Sequence, residues 1–221
     1  MNLSIKEIRV LLIDDHVLVR DSLARLLEDE PDLACPQTAG DAGQGLELIA
    51  KAPFDVVVMD INMPGMNCFS AAKQLLSKHP KTTVVFLSAF WNDMFIEQAT
   101  TAGACGMLSK SDPPETLIAA IRAVVDGGVY LSNEVRDRLK HDSLQRGDTA
   151  DGQTKLSMLT QRETEILCAV GMGQARRDIA ENMKISNNTV AVHTGRVMRK
   201  LDIHDRVSLA RFAIKVGLSP L

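Results

Sequence analysis

The apolar positions of residues 8–126 fall in short β-branched runs separated by longer amphipathic stretches. Arg9–Ile13 (RVLLI), Asp55–Met59 (DVVVM) and Thr83–Leu87 (TVVFL) are apolar along their length, with weaker runs at Gly106–Leu108 and Asp32–Thr38. Runs that lack polar alternation predict strands covered on both faces, and so a parallel sheet. Helical spacing occupies the intervals Val17–Glu28, Ala42–Lys51, Phe69–Lys78, Asp93–Ala102 and Pro114–Asp126. The first interval, for instance, places Val19, Leu23, Leu26 and Leu27 on one face. Five such βα units predict an α/β, flavodoxin-like open sheet.

The alternation stops at Ser132. Residues 132–158 are polar and hold Gly147 and Gly152; Asn133–Leu144 has the makings of a helix, and Arg146–Lys155 reads as linker. Thr160-Gln-Arg-Glu163 then forms a capping box, in which the Thr160 hydroxyl accepts from the Glu163 amide while the Glu163 carboxylate reaches back. Helices are expected at Gln161–Val170, Ala175–Met183, Asn187–Leu201 and Asp205–Val216, with short breaks between them. The chain is thus expected to comprise an α/β unit at 6–128, a linker with a helix at 129–155, and an all-α unit at 156–221.

Charge separates the same two halves. Whole-chain net charge is -3, yet residues 155–221 carry 11 Lys and Arg against 6 Asp and Glu, while residues 1–154 carry 14 against 22. An excess of opposite sign in each half points to different partners, with nucleic acid a candidate for the basic one. No apolar run is long enough to span a bilayer, and MNLSIKEIRV lacks the apolar stretch of a secretory leader, so a cytoplasmic protein without membrane contact is expected. Cys35, Cys68, Cys105 and Cys168 have no paired spacing; buried, reduced thiols are expected, with neither a zinc site nor a disulfide framework.

In an open α/β sheet, ligands bind at the carboxyl ends of the strands. Those ends carry Asp14 and Asp15, then Asp60, Ser88 and Lys110. Converging carboxylates repel one another unless a cation joins them, and Mg²⁺ suits a site of one or two carboxylates plus a phosphate. Lys110 and the Ser88 hydroxyl would face the anionic group, an arrangement suited to phosphoryl transfer with an Asp nucleophile. Asp60 is the candidate nucleophile, because it stands singly before the loop Ile61-Asn62-Met63-Pro64-Gly65-Met66. A lone Asp at a strand end most often caps a loop. Five polar residues at four strand ends are poorly explained that way.

These residues carry a resemblance. IRVLLIDDHVLVRDSLARLLE, DVVVMDINMPGMN, Ser88-Ala89 and GACGMLSK resemble a two-component receiver domain over residues 8–126, and the helical unit that follows makes the whole similar to the NarL/FixJ family of response regulators. The resemblance implies that a sensor histidine kinase phosphorylates Asp60, that Asp14 and Asp15 hold Mg²⁺ with the backbone carbonyl of Asn62, and that Ser88 and Lys110 bond the phosphoryl group. It also implies that Phe90 and Asn62 tune phosphoryl lifetime. Met107 stands where relatives carry Tyr or Phe, Cys68 where Gly is common, and Asp21-Ser22 where x-Gly is frequent.

In the basic half, a helix, a three-residue break and a second helix have helix-turn-helix spacing. Ser186 suits the N-cap of the second helix, Val190, Thr194, Val197 and Leu201 its core stripe, and Asn188, Ala191, Val192, Gly195, Arg196, Arg199 and Lys200 its outer face. Such a helix enters the major groove of double-stranded DNA. LTQRETEIL and IAENMKISNNTVAVHTGRVMRKLDIHDR resemble the LuxR-type DNA-binding domain. By position, the resemblance assigns Arg176, Arg177, Thr189 and Lys200 to phosphates, Val192 to a thymine methyl and Arg196 to guanine, with Asn188 on the same face. Relatives often carry Lys where Asn188, Ala191 and Gly195 stand, which implies a shallower salt dependence here. His193 is expected to have a satisfied structural role, and Arg206 to pair with local carboxylates.

The expected function is a phosphorylation-dependent transcriptional regulator that binds promoter DNA as a homodimer, with RNA polymerase as a further partner and no enzymatic role beyond its own phosphorylation and dephosphorylation. Leu209, Phe212, Ala213 and Val216 share a face suited to the dimer contact. One competing reading makes the α/β unit a phosphorylation-independent dimeriser, supported by Met107 alone. Another is an Asp-nucleophile phosphatase, which needs a second acid where Asn62 stands and leaves the basic unit unexplained.

Overall fold

A computed structural model describes residues 7–146 and 155–218. Six parallel strands lie in the order β2-β1-β3-β4-β5-β6: β1 (Ile8–Ile13), β2 (Leu33–Ala39), β3 (Val56–Asp60), β4 (Thr83–Ser88), β5 (Gly106–Ser109) and β6 (Tyr130–Leu131). Helices α1 (Val17–Glu28), α2 (Ala42–Lys51), α3 (Cys68–Lys78), α4 (Asp93–Thr101) and α5 (Pro114–Val125) connect them. The five expected units are present, each shifted by at most a residue or so at its ends.

Alternate residues of each strand build separate layers, as the strand period of two demands. Val10, Leu12, Val56, Val58, Val85, Leu87 and Leu108 pack with Leu27 of α1 and Leu117, Ile121 and Val124 of α5. Leu11, Ile13, Val57, Met59, Val84, Phe86 and Met107 pack with α2, α3 and α4 through residues such as Ile49, Leu75 and Ile96. Full burial on both faces is why these strands show no polar alternation. Gly45 of α2 lies so close to Ile13 that a Cβ there would stand 2.3 Å from its Cδ1, which explains a glycine inside a helix.

Strand β6 was not anticipated: two residues carry no legible period. It pairs with β5 through Gly106↔Tyr130 and Met107↔Leu131. The expected helix after it is α6 (Asn133–Arg146), whose Val135 and Leu139 are buried. Of the expected linker, residues 147–154 lie outside the described residues. Helices α7 (Gln161–Gly171), α8 (Arg176–Asn182), α9 (Asn187–Leu201) and α10 (Arg206–Lys215) follow. Side chains cap three of them: Thr160 and Glu163 form the full box on α7, Ser186 accepts from the Thr189 amide on α9, and Asp205 accepts from the Ser208 amide on α10.

The helical unit docks on the β6 edge of the α/β unit. The backbones of Gly128 and Gly173 meet there: a Cβ on Gly173, whose φ is 79°, would stand 2.5 Å from the Val129 carbonyl oxygen. Arg136 of α6 donates to the Gly171 carbonyl at 2.9 Å, and Arg211 of α10 pairs with Glu97 of α4 at 2.8 Å. All four cysteines are free; Cys35 and Cys68 are buried, and burial pushes both thiols up to about 11. Cys105 and Cys168 are only half-buried, a correction to the expectation of four buried thiols.

Candidate functional site

Strand order reverses between β1 and β3, so the connections that leave their adjacent carboxyl ends pass to opposite faces of the sheet. Register sets the depth of each group: Ile13 pairs with Met59, Asp60 with Leu87, and Ser88 with Ser109. The residues just past Ile13 and Ser109 therefore meet Asp60 from either side. Lys110 Nζ lies 2.8 Å from Asp60 Oδ2 and 2.7 Å from Asp14 Oδ2. Burial pulls the Lys110 pKa down, but hydrogen bonds to Asp14 and Asp60 outweigh it, and the ammonium is held above its ordinary value. Asp60 is only 1% exposed and its Oδ1 accepts from the Asn62 amide at 3.2 Å.

Asp14, Asp15, His16 and Asp60 can each place one ligand atom within 4.8 Å of the others. Three of the four are carboxylates, facing the single Lys110 ammonium, so a divalent cation fits the donor set. Asp15 Oδ1 is buried, stands 3.0 Å from His16 Nδ1 and accepts no well-aligned hydrogen bond among the described residues. Two neighbours escaped sequence reasoning. The His16 amide donates to Asp14 Oδ1 at 2.8 Å, and Arg20 of α1 reaches back past the helix start to the Asp14 carbonyl at 2.7 Å. For His16, adjacency to the Asp pair was the available signal; Arg20 had none.

Ser88 is fully buried. Its hydroxyl donates to the Phe90 carbonyl at 2.5 Å and accepts from the Phe90 amide at 3.0 Å, a closed local turn. Met107 is fully buried in the layer of Phe86, and the Ser132 amide bonds its carbonyl.

In the helical unit, Asn188, Val192, Arg196 and Arg199 are exposed along one side of α9 while Val190, Thr194, Val197 and Leu201 are buried on the other. Arg176 and Arg177 are exposed at the start of α8, with Arg177 3.7 Å from Glu181. Thr189 Oγ1 is within 2.8 Å of Ser186 Oγ. Lys200 has a partner of its own chain: its Nζ contacts Glu163 Oε2 at 2.7 Å and donates to the Met158 carbonyl at 3.1 Å. That pairing lowers the Glu163 pKa to about 2, the Lys200 hydrogen bond first and the Thr160 amide next.

Two other expectations are corrected. Arg206 donates to the Gln174 carbonyl at 2.8 Å instead of a carboxylate, and burial, with Arg176 nearby, lowers its pKa to about 10. His193 Nδ1 is buried with no hydrogen-bond partner among the described residues. On α10, Leu209 and Ala213 are buried within the chain's own core, so the expected dimer face is partly occupied here.

An acidic pocket with a half-buried lysine lies at the sheet's switch point, and the chain continues into a helix-turn-helix whose second helix exposes one side. Residues 10–122 match the response regulator receiver domain family, and residues 157–213 match the bacterial regulatory proteins of the luxR family. The chain is similar to the transcriptional regulatory protein UhpA of Escherichia coli, 37% identical with 92% of this chain and 96% of that one covered. It is 34% identical to the transcriptional regulatory protein LiaR of Bacillus subtilis, with coverage of 93% and 96%. Among solved structures, a LuxR-family two-component response regulator from Aurantimonas aligns with a TM-score of 0.60 and 29% identity, covering 63% of this chain and 99% of that one. The chain belongs to the response regulators with a receiver domain and a luxR-type DNA-binding domain, transcriptional regulators of two-component systems.

Proposed function

We propose that Asp60 is the phosphoacceptor. The observation that carries this reading is the Lys110 ammonium held between Asp60 and Asp14 at hydrogen-bonding distance, inside a pocket with an excess of carboxylates. A carboxylate oxygen of Asp60 attacks the phosphorus of a kinase phosphohistidine; the P–N bond breaks and its electron pair returns to the imidazole. Lys110 neutralises charge on the phosphoryl oxygens, and the Ser88 hydroxyl turns to them once it leaves Phe90. Asp14, Asp15 and the Asn62 carbonyl, with Asp60, are the residues that would hold Mg²⁺. When bound, the ion supplies charge neutralisation at the transferring group. Catalysis here is confined to the receiver's own phosphorylation and dephosphorylation.

The DNA reading rests on the exposed side of α9. Arg196 reads guanine, Val192 touches a thymine methyl, and Arg176, Arg177, Asn188, Thr189 and Lys200 position the backbone. Lys200 does so while keeping one of its three protons on Glu163. A homodimer supplies the second reading helix, about one helical turn of DNA away, and RNA polymerase is the further partner. Residues 6–128 serve as receiver, 129–155 as the joining segment and 156–221 as the DNA-binding unit, in a cytoplasmic protein.

Labelling with acetyl phosphate and Mg²⁺ tests the first step. A hydroxylamine-labile phosphate is expected on the wild type and absent from Asp60→Asn; label that persists in the variant refutes the assignment. Footprinting over genomic fragments, with and without phosphodonor, tests the second.

A further inference from the structure

The loop between β4 and α4 connects the Ser88 hydroxyl to α6. Trp91 follows Phe90 and is fully buried; its indole Nε1 donates to the Leu108 carbonyl at 2.9 Å, two residues before Lys110. Its backbone amide donates to Glu134 Oε1 of α6 at 3.0 Å. The preceding ring, Phe90, is 54% exposed and lies under the Arg138 guanidinium, 4.9 Å from the ring centroid. Arg138 and Glu134 are themselves 3.9 Å apart, one helical turn from each other. Two consecutive residues of the loop are thus held by two side chains of one helix, while the hydroxyl of Ser88 is spent on the first of them.

We infer that α6 is a latch on the Ser88 loop. Glu134 and Arg138 act as positioning residues that hold Phe90 and Trp91 in the turn that occupies the Ser88 hydroxyl. For that hydroxyl to reach a phosphoryl group on Asp60, its proton must leave the Phe90 carbonyl, and the turn that fixes Trp91 against Glu134 is lost with it. Phosphorylation and latching therefore compete, and linkage makes the competition reciprocal: each weakens the other by the same factor. The latch also reaches the DNA-binding unit, because Arg136 of the same helix holds the Gly171 carbonyl at the end of α7. Met107 fills the position of the customary aromatic, and Trp91 provides a buried aromatic that reports on the loop from β4 instead.

This inference rests on Asp60 being the phosphoacceptor, and its test separates the two. Trp91 is the chain's single tryptophan, so intrinsic emission of the full-length protein reads the loop directly. Titration with beryllofluoride and Mg²⁺ is expected to give a saturable red shift in the wild type and none in Asp60→Ala. Arg138→Ala and Glu134→Ala should each tighten the beryllofluoride midpoint, by about five- to tenfold in the double variant. Glu134→Gln, whose amide oxygen still accepts from the Trp91 amide, should stay near wild type. A merely structural role would not strengthen binding. Emission that stays fixed while Asp60 takes up acetyl-phosphate label, or a double variant with the wild-type midpoint, overturns the latch and leaves the phosphoacceptor assignment standing. Failure of the label itself overturns both.

Discussion

Replacing Glu163 removes three contacts at once. Its Oε2 accepts from the Thr160 amide at 2.8 Å and the Thr160 hydroxyl at 3.1 Å, and meets the Lys200 ammonium at 2.7 Å. Loss of the capping contribution costs about 1 kcal/mol. The charged hydrogen bond to Lys200, with Glu163 only 4% exposed, adds roughly 1.5 kcal/mol or more. A small helical unit has a stability of only about 5 kcal/mol. Glu163→Ala should therefore lower its thermal midpoint by roughly 10–20 °C. Circular dichroism of the full chain measures this, and DNA binding should be lost over the same temperature range because Lys200 lies on α9, the proposed reading helix. Acid provides the second arm. The Glu163 pKa falls from 4.5 to about 2 on folding, so its charge contributes stability above pH 4.5, and that contribution fades as pH falls toward 2. The stability gap between wild type and Glu163→Gln should be constant above pH 4.5 and close on acidification. A gap that does not depend on pH, or an alanine variant that melts with the wild type, refutes the reasoning.

Arg196→Ala should lower affinity for the specific site by about 1–3 kcal/mol while leaving non-specific binding nearly unchanged; competition titrations decide, and retained sequence preference would remove Arg196 from base reading. Gly173→Ala places a Cβ against the Val129 carbonyl in a backbone conformation that costs L-residues roughly 1–2 kcal/mol. The docked edge should loosen, seen as faster hydrogen exchange at the Tyr130 and Ser132 amides, whose partners are the carbonyls of Cys105 and Met107.

Long apolar runs and helical stripes were legible because each is set by local periodicity: α1, α2 and α9 begin and end at the residues their spacing indicates. Strand β6 was not, since two residues carry no period and pair only because β5 offers an edge. That Asp14, Asp15, Asp60 and Lys110 come together was legible because a parallel sheet turns strand ends into neighbours, whereas the local turn that takes up the Ser88 hydroxyl was not. His16 and Arg20 were not, because their roles depend on the turn between β1 and α1. By sequence Lys200 reads as a cation on the outer face of its helix; its partner Glu163 lies 37 residues away.

The sequence alone determined which half handles phosphate and which half meets DNA, because charge, strand-end chemistry and helix spacing are local properties of the chain. Tertiary structure decided how the halves are joined. Contacts such as Trp91 with Glu134, Arg136 with Gly171 and Gly128 with Gly173 link residues 35 to 45 positions apart. Their partners are selected by how α6 and the helical unit pack on the α/β unit, which no one-dimensional pattern encodes.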